Sequence, residues 1–133
     1  MAELSRVRNG TYQGECFVYC NEEVTVTPQE VRYDLTSPVP DADHPDVHAS
    51  EPLAPDRWSA LTDAAARSAL DELPRQIGLA EARDAGGEFV EVAADDRATR
   101  VDFGLGEDVA QASPLLDQLR ELRRELASRH RPA

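Results

Sequence analysis

Residues 15–35, "ECFVYCNEEVTVTPQEVRYDL", alternate between apolar and polar side chains in two successive runs. Side chains of a β-strand point alternately to opposite faces of the sheet, so an alternation with a period of two predicts strands rather than helices. Between the runs lies "TPQE", residues 27–30, in which Pro28 occupies the second position of a type I turn. The pattern therefore predicts a β-hairpin, which commits this part of the chain to an antiparallel sheet.

The first run carries both cysteines of the chain on its buried face, which consists of Cys16, Val18, Cys20, Val24 and Val26. Residues four apart in a regular strand lie about 13 Å apart. A disulfide requires Cα atoms within about 7 Å, so it would need a bulge or a tight turn between the two cysteines. We therefore expect two reduced core cysteines, which behave as small hydrophobic residues.

Three further strands and a helix are predicted from the rest of the pattern. Residues 3–8 form a short first strand, and residues 56–73 repeat apolar side chains at helical spacing. Residues 89–93 and 99–103 form two strands around a turn at residues 95–97.

The last helix has the clearest start signal. Ser113 is expected to cap its N-terminus, and Pro114 sits at the first helical position. Its apolar stripe consists of Leu115, Leu116, Leu119, Leu122 and Leu126. The element order β-β-β-α-β-β-α predicts one α+β domain over residues 1–133, with a single antiparallel sheet of four to five strands and both helices on one face.

Residues 37–55, "SPVPDADHPDVHASEPLAP", contain five prolines and are expected to form an acidic, proline-rich exposed loop. Residues 128–133 are expected to be a frayed tail. His44 and His48 of this loop, taken with Cys16 and Cys20, make a donor set that suits zinc. However, 23 residues separate the two pairs, whereas a zinc finger has about twelve, so no metal or other cofactor is favoured.

The formal net charge of −12 argues against binding to nucleic acid or an anionic membrane, because phosphate contacts need clustered basic residues. No run near the N-terminus has the apolar core of a signal peptide, and no stretch is apolar enough to span a bilayer. With Met1 as the start, we expect a cytoplasmic protein, in which thiols stay reduced.

No assembled catalytic motif is present. The chain lacks Gly-x-Ser-x-Gly, and Glu88 and Glu91, the best acid–base carboxylates, are expected at a solvated edge. We therefore expect a non-enzymatic interaction domain, monomeric or homodimeric, that binds a protein partner. The alternatives are a divalent-metal-binding protein and an accessory subunit of an enzyme. The candidate interaction residues are Thr11, Tyr12, Gln13, Trp58, Asp96 and Arg97.

Three stretches together resemble a family of small bacterial proteins of uncharacterised function. "GTYQGECFVYC", residues 10–20, is similar to a Gly-Thr-x-x-Gly-x-Cys-x-x-Tyr-Cys pattern at the start of that family. "GLAEARDAGGEFVEV", residues 78–92, resembles its central Asp-Gly-Gly-type segment, and "VDFGLG" with "SPLLDQLREL" resembles its last strand and helix. Typical members carry a Cys-x-x-Cys pair in the central segment, where this chain has Leu79 and Ala82.

The resemblance implies that Cys16 and Cys20 are the remaining half of a four-cysteine arrangement, a zinc site or disulfides, that cannot be completed here. In architecture the family is similar to emfourins, small inhibitors of thermolysin-like metalloproteases. That likeness implies a protease-inhibitor-like module, which would use the turn at residues 10–14 and the turn at Asp96.

Overall fold

Seven strands and two α-helices make up the computed structural model, which describes residues 3–78, 86–105 and 107–132. The elements in chain order are β1 (Leu4–Tyr12), β2 (Asn21–Val26), β3 (Glu30–Thr36), β4 (Val47–Pro52), α1 (Pro55–Ser68), β5 (Gln76–Ile77), β6 (Gly87–Ala94), β7 (Arg97–Phe103) and α2 (Ser113–His130). Leu79 and Ala82, which stand where the similar family has its second cysteine pair, lie outside the described residues.

The strands form one mixed sheet in the order β4-β3-β2-β1-β6-β7-β5. Every neighbouring pair is antiparallel except β5 and β7, which run parallel. The predicted sheet of four to five antiparallel strands is therefore wrong in both strand number and direction. The two strands that were not predicted are β4 and β5, and the sequence pattern of each fails to indicate a strand for a different reason.

Strand β4 lies inside the segment that was predicted to be an exposed loop over residues 37–55. Three of the segment's five prolines precede the strand, Pro52 is its last residue, and Pro55 follows it; the strand itself lies at one edge of the sheet. Proline is compatible with an edge strand because no ladder donor is lost there. Strand β5 has two residues, which is too short to show any period.

The two predicted hairpins are present. Strands β2 and β3 pair from Val26 opposite Val31 to Asn21 opposite Thr36, around the turn that contains Pro28. Strands β6 and β7 pair around the turn at residues 95–96. Both hairpins join consecutive strands through short turns, so local alternation was sufficient to find them.

Helix α2 packs across β1, β2 and β3, and α1 packs against α2. All five leucines of the predicted stripe are buried, and they meet the inward side chains of the sheet in one core. Ser113 is not the N-cap that was predicted. It lies in the first turn, where its hydroxyl donates to the carbonyl of Val109 at 3.2 Å. Helix α1 ends at Ser68, earlier than predicted, because Ala69 adopts a left-handed conformation with φ of 48°.

The end of α2 is fastened to the edge strand. The helix continues to His130, beyond the point at which the chain was expected to fray. Arg129 donates two hydrogen bonds to Glu51 of β4, at 2.8 and 2.7 Å, and the ring of His130 lies 2.6 Å from the same carboxylate. The hydrogen bonds from Arg129, followed by that of His130, lower the pKa of Glu51 from 4.5 to about 2.

Glu51→Gln is expected to destabilise the fold in a pH-dependent way. A carboxylate whose pKa is lowered by folding contributes stability above its unfolded pKa, and loses that contribution as the pH falls through its folded pKa. The difference in unfolding free energy between wild type and Glu51→Gln should therefore be constant above about pH 5 and shrink towards about pH 2. Urea denaturation at a series of pH values measures it. The exposed Glu121→Gln is the control, and an equal pH trend in both variants would contradict the assignment.

Candidate functional site

Cys16 and Cys20 are joined by a disulfide, with their Cα atoms 5.7 Å apart. The expectation of two reduced cysteines in a strand is therefore wrong. Strand β2 begins only at Asn21, and the preceding residues turn sharply, with Glu15 at φ 41° and Tyr19 at φ 52°. These turns bring the Cα atoms within the range that a disulfide needs. We call residues 13–20 the disulfide loop.

Tyr19 fastens the disulfide loop to the irregular segment between β3 and β4, residues 37–46, which we call the acidic loop. Its backbone N–H donates to the hydroxyl of Ser37 at 2.9 Å, and its own hydroxyl donates to the carbonyl of Pro45 at 3.0 Å. Its ring meets that of His44 edge to face, at 5.7 Å between centroids. The two loops therefore form one continuous surface.

Phe17 projects from the tip of the disulfide loop with 81% of its surface exposed. The other exposed large hydrophobic residues among those described are Val39 of the acidic loop, at 63%, and Leu105, which follows β7, at 42%. Strand pairing places all three at one end of the sheet, because Asn21 pairs with both Tyr12 and Thr36. Phe103 at the end of β7 pairs with Glu88 at the start of β6, beside Tyr12. We call this surface the loop end.

The loop end carries carboxylates, and its one basic side chain is that of His44. Residues 13–20, 37–46 and 104–109 contain no Arg or Lys, and their acidic side chains are Glu15, Asp41, Asp43, Asp46, Glu107 and Asp108. Among the described residues, two basic side chains pair with these carboxylates: His44, when it is protonated, with Asp41 at 3.3 Å, and Arg120 of α2 with Asp108 at 3.6 Å. Exposed apolar side chains are thus surrounded by negative charge.

The face of the sheet opposite the helices is closed by its own side chains. Phe89 is stacked between two guanidinium groups, that of Arg100 at 3.9 Å and that of Arg8 at 5.2 Å. Phe89 lies over Gly10, where a Cβ atom would come within 2.7 Å of the ring. Each cation also holds a carboxylate, Arg100 with Asp102 at 2.8 Å and Arg8 with Glu23 at 2.9 Å. The stack therefore offers no unpaired charge to a substrate.

Two of the predicted interaction residues, Thr11 and Tyr12, line a depression of about 330 Å³ beside this stack. Burial, followed by its hydrogen bond to Asp102 at 2.8 Å, raises the pKa of Tyr12 to about 12. Gln13 follows them as the first, exposed residue of the disulfide loop. The structure thus places these three residues next to the loop end.

Asp96 and Arg97 lie at the opposite end of the sheet. At one end of β1, Tyr12 pairs with Gly87 at the start of β6. At the other end, Leu4 pairs with Ala94, which is next to the turn that contains Asp96. Eight residues of strand span about 26 Å. The two turns that the inhibitor-like interpretation combined therefore cannot meet one compact target site. Trp58 lies on α1, partly buried against the core, in a separate cleft.

The donor set proposed for zinc is not assembled. The sulfurs of Cys16 and Cys20 are bonded to each other, whereas zinc binds thiolates. His44 lies 3.3 Å from Asp41, and His48 lies 2.5 Å from Asp34. Within residues 3–78, 86–105 and 107–132, no group of three or more His, Cys, Asp or Glu side chains is arranged to hold a metal ion.

Nucleophilic catalysis finds no assembled pair either. In the described part of the chain, the three histidines lie against Asp41, Asp34 and Glu51, and no hydroxyl or thiol donates to any of them. A nucleophile in such sites needs a base within hydrogen-bonding reach. The described residues therefore assemble no nucleophile with a histidine base.

Removing the disulfide is expected to cost little stability. A cross-link that closes a ring of five residues contributes about 2 kcal/mol, and relief of the two positive φ angles offsets part of that. Cys16→Ser with Cys20→Ser should therefore unfold at a denaturant midpoint close to that of the wild type. Urea denaturation without reductant measures it. A loss well above about 4 kcal/mol would show that the disulfide supports the whole fold.

Comparison with known proteins gives no match to any protein-family model or to any curated protein. Among the described residues, no helix is both long and apolar enough to cross a lipid bilayer. Function is therefore inferred from the side chains of the loop end and the neighbouring sheet face.

Proposed function

We propose that this chain is a non-enzymatic protein-binding domain that meets its partner through the loop end. The observation that carries the proposal is Phe17, 81% exposed on a loop that a disulfide closes and Tyr19 fastens. Aromatic side chains, Phe among them, are enriched in the buried core of protein interfaces. A loop that is already held in one shape loses less conformational entropy on binding, which favours affinity.

The charge of the loop end supports a partner that presents apolar residues surrounded by Arg or Lys. Six carboxylates with no Arg or Lys among them repel other acidic surfaces and attract basic ones. Association should therefore be faster at low salt, because charge steers the encounter and salt screens it. The same charge disfavours nucleic acid and anionic membranes.

The resemblance to emfourins gives the proposal a concrete form, inhibition of a thermolysin-like metalloprotease. The target would meet the loop end alone, since the Asp96 turn lies at the far end of β1. Purified protein assayed against several thermolysin-like proteases is expected to inhibit at least one of them tightly, and Phe17→Ala should weaken that inhibition. Absence of inhibition at micromolar concentration across the panel would exclude the inhibitor form, but not binding to another protein.

The general proposal is tested by position-resolved crosslinking in cells that make the protein. A photoreactive amino acid is placed in turn at Phe17, Val39 and Leu105, and at the exposed control position Glu121 on α2. The three loop-end positions are expected to crosslink the same protein, and Glu121 is not. A partner captured from Glu121 but from none of the loop-end positions would overturn the proposal.

The cytoplasmic location expected from the sequence is retained as part of the proposal. In that compartment glutathione and thioredoxin keep thiols reduced, and the disulfides that do form there are usually transient. The Cys16–Cys20 bond would then be reversible rather than permanent. Trapping of thiols with an alkylating reagent in intact cells, followed by mass spectrometry, would measure its redox state.

A further inference from the structure

The geometry points to the Cys16–Cys20 disulfide as a thiol–disulfide exchange site whose redox state sets the shape of the loop end. This inference deepens the proposed function and rests on it for its biological consequence. The exchange chemistry itself involves only the two cysteines and a small thiol, so it is tested without the partner.

The disulfide lies outside the main core cluster, although Cys20 is itself buried, and it holds no distant elements together. The core cluster between the sheet and the helices contains neither Cys16 nor Cys20. The bond joins residues only four apart in the chain, and β2 starts directly after the second of them. Opening the bond therefore leaves the contacts of the sheet and the helices in place.

The two cysteine residues differ in how much of their surface is exposed. Cys20 is buried, with 4% of its surface exposed, whereas Cys16 is half-buried and adjoins the exposed Phe17. A thiolate arriving from solvent therefore reaches the sulfur of Cys16 first, and Cys20 is the leaving group. Exchange rates depend on which sulfur can be attacked, so this asymmetry fixes the direction of opening.

The reduced segment has another conformation available. Glu15, just before the ring, and Tyr19, inside it, hold positive φ angles that side-chain-bearing residues seldom adopt. The sequence of residues 15–20 alternates as an extended strand does, with aromatic and β-branched residues that favour it. Once the bond is open, Tyr19 is free to leave Ser37 and Pro45, which couples the disulfide loop to the acidic loop.

The reaction needs two equivalents of a small thiol such as glutathione. The first thiolate attacks Sγ of Cys16, a mixed disulfide forms, and the bonding electron pair of the old disulfide leaves on Sγ of Cys20, which takes a proton from solvent. The second thiolate attacks the glutathione sulfur of the mixed disulfide, which releases oxidised glutathione and the thiolate of Cys16, and this thiolate also takes a proton from solvent. The protein gains two electrons and two protons.

The folded, oxidised protein is equilibrated in glutathione buffers of increasing reducing strength, and its thiols are counted by alkylation and mass spectrometry. The two thiols are expected to appear while the fluorescence of Trp58 stays unchanged. Faster hydrogen exchange should be confined to residues 13–20 and 37–46. A disulfide that persists in the most reducing buffer, or that opens only when the sheet and helices unfold, would overturn the inference.

Single-cysteine variants test the asymmetry of attack. With oxidised glutathione, the Cys20→Ser variant is expected to form a mixed disulfide at Cys16, and Cys16→Ser should form about tenfold less at the buried Cys20. Equal adduct formation in both variants would contradict the assignment of Cys16 as the attacked sulfur. If exchange occurs but Phe17→Ala leaves binding unchanged, the redox site stands and the proposed function fails. If the disulfide is inert while Phe17→Ala abolishes binding, the proposed function stands and the redox site fails.

Discussion

Glu88→Gln is expected to lower the free energy of unfolding by about 3–5 kcal/mol, the cost of removing one partner from a buried ion pair. Glu88 is 1% exposed, between the sheet and α2. Arg120 donates two hydrogen bonds to it, at 2.9 and 2.7 Å, and Asn9 donates a third at 3.1 Å. Arg123 lies 3.3 Å away and also bonds to Asn9.

The network fixes the charge of Glu88. Burial alone would raise its pKa, but the hydrogen bonds from Arg120 and Asn9 and the positive charges of both arginines outweigh burial and lower it. A neutral amide at this position would remove the buried counter-charge of two guanidinium groups that are themselves only 13% exposed. Truncating one member of such a network costs more than the pair itself contributes.

Urea denaturation of Glu88→Gln measures the effect, and the exposed Glu121→Gln is the matched control. A double-mutant cycle with Arg120→Met isolates the coupling between the two side chains. A loss below about 1 kcal/mol for Glu88→Gln would show that the charges are solvated and that the network contributes little.

Phe17→Ala is expected to weaken binding of the partner by about 30-fold, or about 2 kcal/mol, as loss of a central aromatic anchor does. The fold should be unaffected, because Phe17 leaves 81% of its surface in solvent. The protein identified by crosslinking at the loop end serves as the ligand, and isothermal calorimetry measures the affinity.

Two variants act as controls for Phe17→Ala. Phe17→Tyr retains the aromatic ring and should bind within a few-fold of the wild type. Arg124→Ala changes an exposed residue of α2, away from the loop end, and should leave the affinity unchanged. An affinity of Phe17→Ala within about twofold of the wild type would show that Phe17 is not an interface anchor.

The periodicity of the sequence predicted those elements that are specified by residues close together in the chain. The hairpins β2–β3 and β6–β7 and the leucine stripe of α2 follow from alternation, turn residues and helical spacing. Strand β4 could not be predicted because it lies in a proline-rich segment with no clear alternation. It is extended because it pairs with β3, and this pairing is not visible in the sequence pattern. Residues 15–20 were predicted to be a strand but form a closed loop. The covalent bond between Cys16 and Cys20 overrides the preference of the intervening residues for an extended backbone.

The buried ion-pair network around Glu88 could have been predicted from the sequence, by combining the alternation of the strand with the helical spacing of α2. Glu88 has the same parity as Val90 and Val92, so it points towards the helices rather than to a solvated edge. Arg123 follows Leu119 by four residues and therefore shares its face of α2. An inward acid opposite an inward arginine predicts a buried ion pair. Glu91, also expected to be solvated, is covered by Arg6 and Arg8 on the other face.

The candidate site was predictable only in part. Thr11, Tyr12 and Gln13 were selected for their place at a glycine-flanked turn, and they do adjoin the loop end. Phe17 falls outside the buried face predicted for the strand, so its exposure followed from the sequence but its presentation on a loop closed by a disulfide did not. The meeting of the disulfide loop with the acidic loop depends on the contacts of Tyr19, which cross 18 residues or more of chain.

Hydrogen exchange of the free domain and of its complex tests the central claim most directly. Protection on binding is expected in residues 13–20, in residues 37–46 and around Leu105, with no change at the Asp95–Asp96 turn or along α1. That result would locate the interface at the loop end. Protection at the Asp95–Asp96 turn or on α1, with the disulfide loop unchanged, would contradict the account.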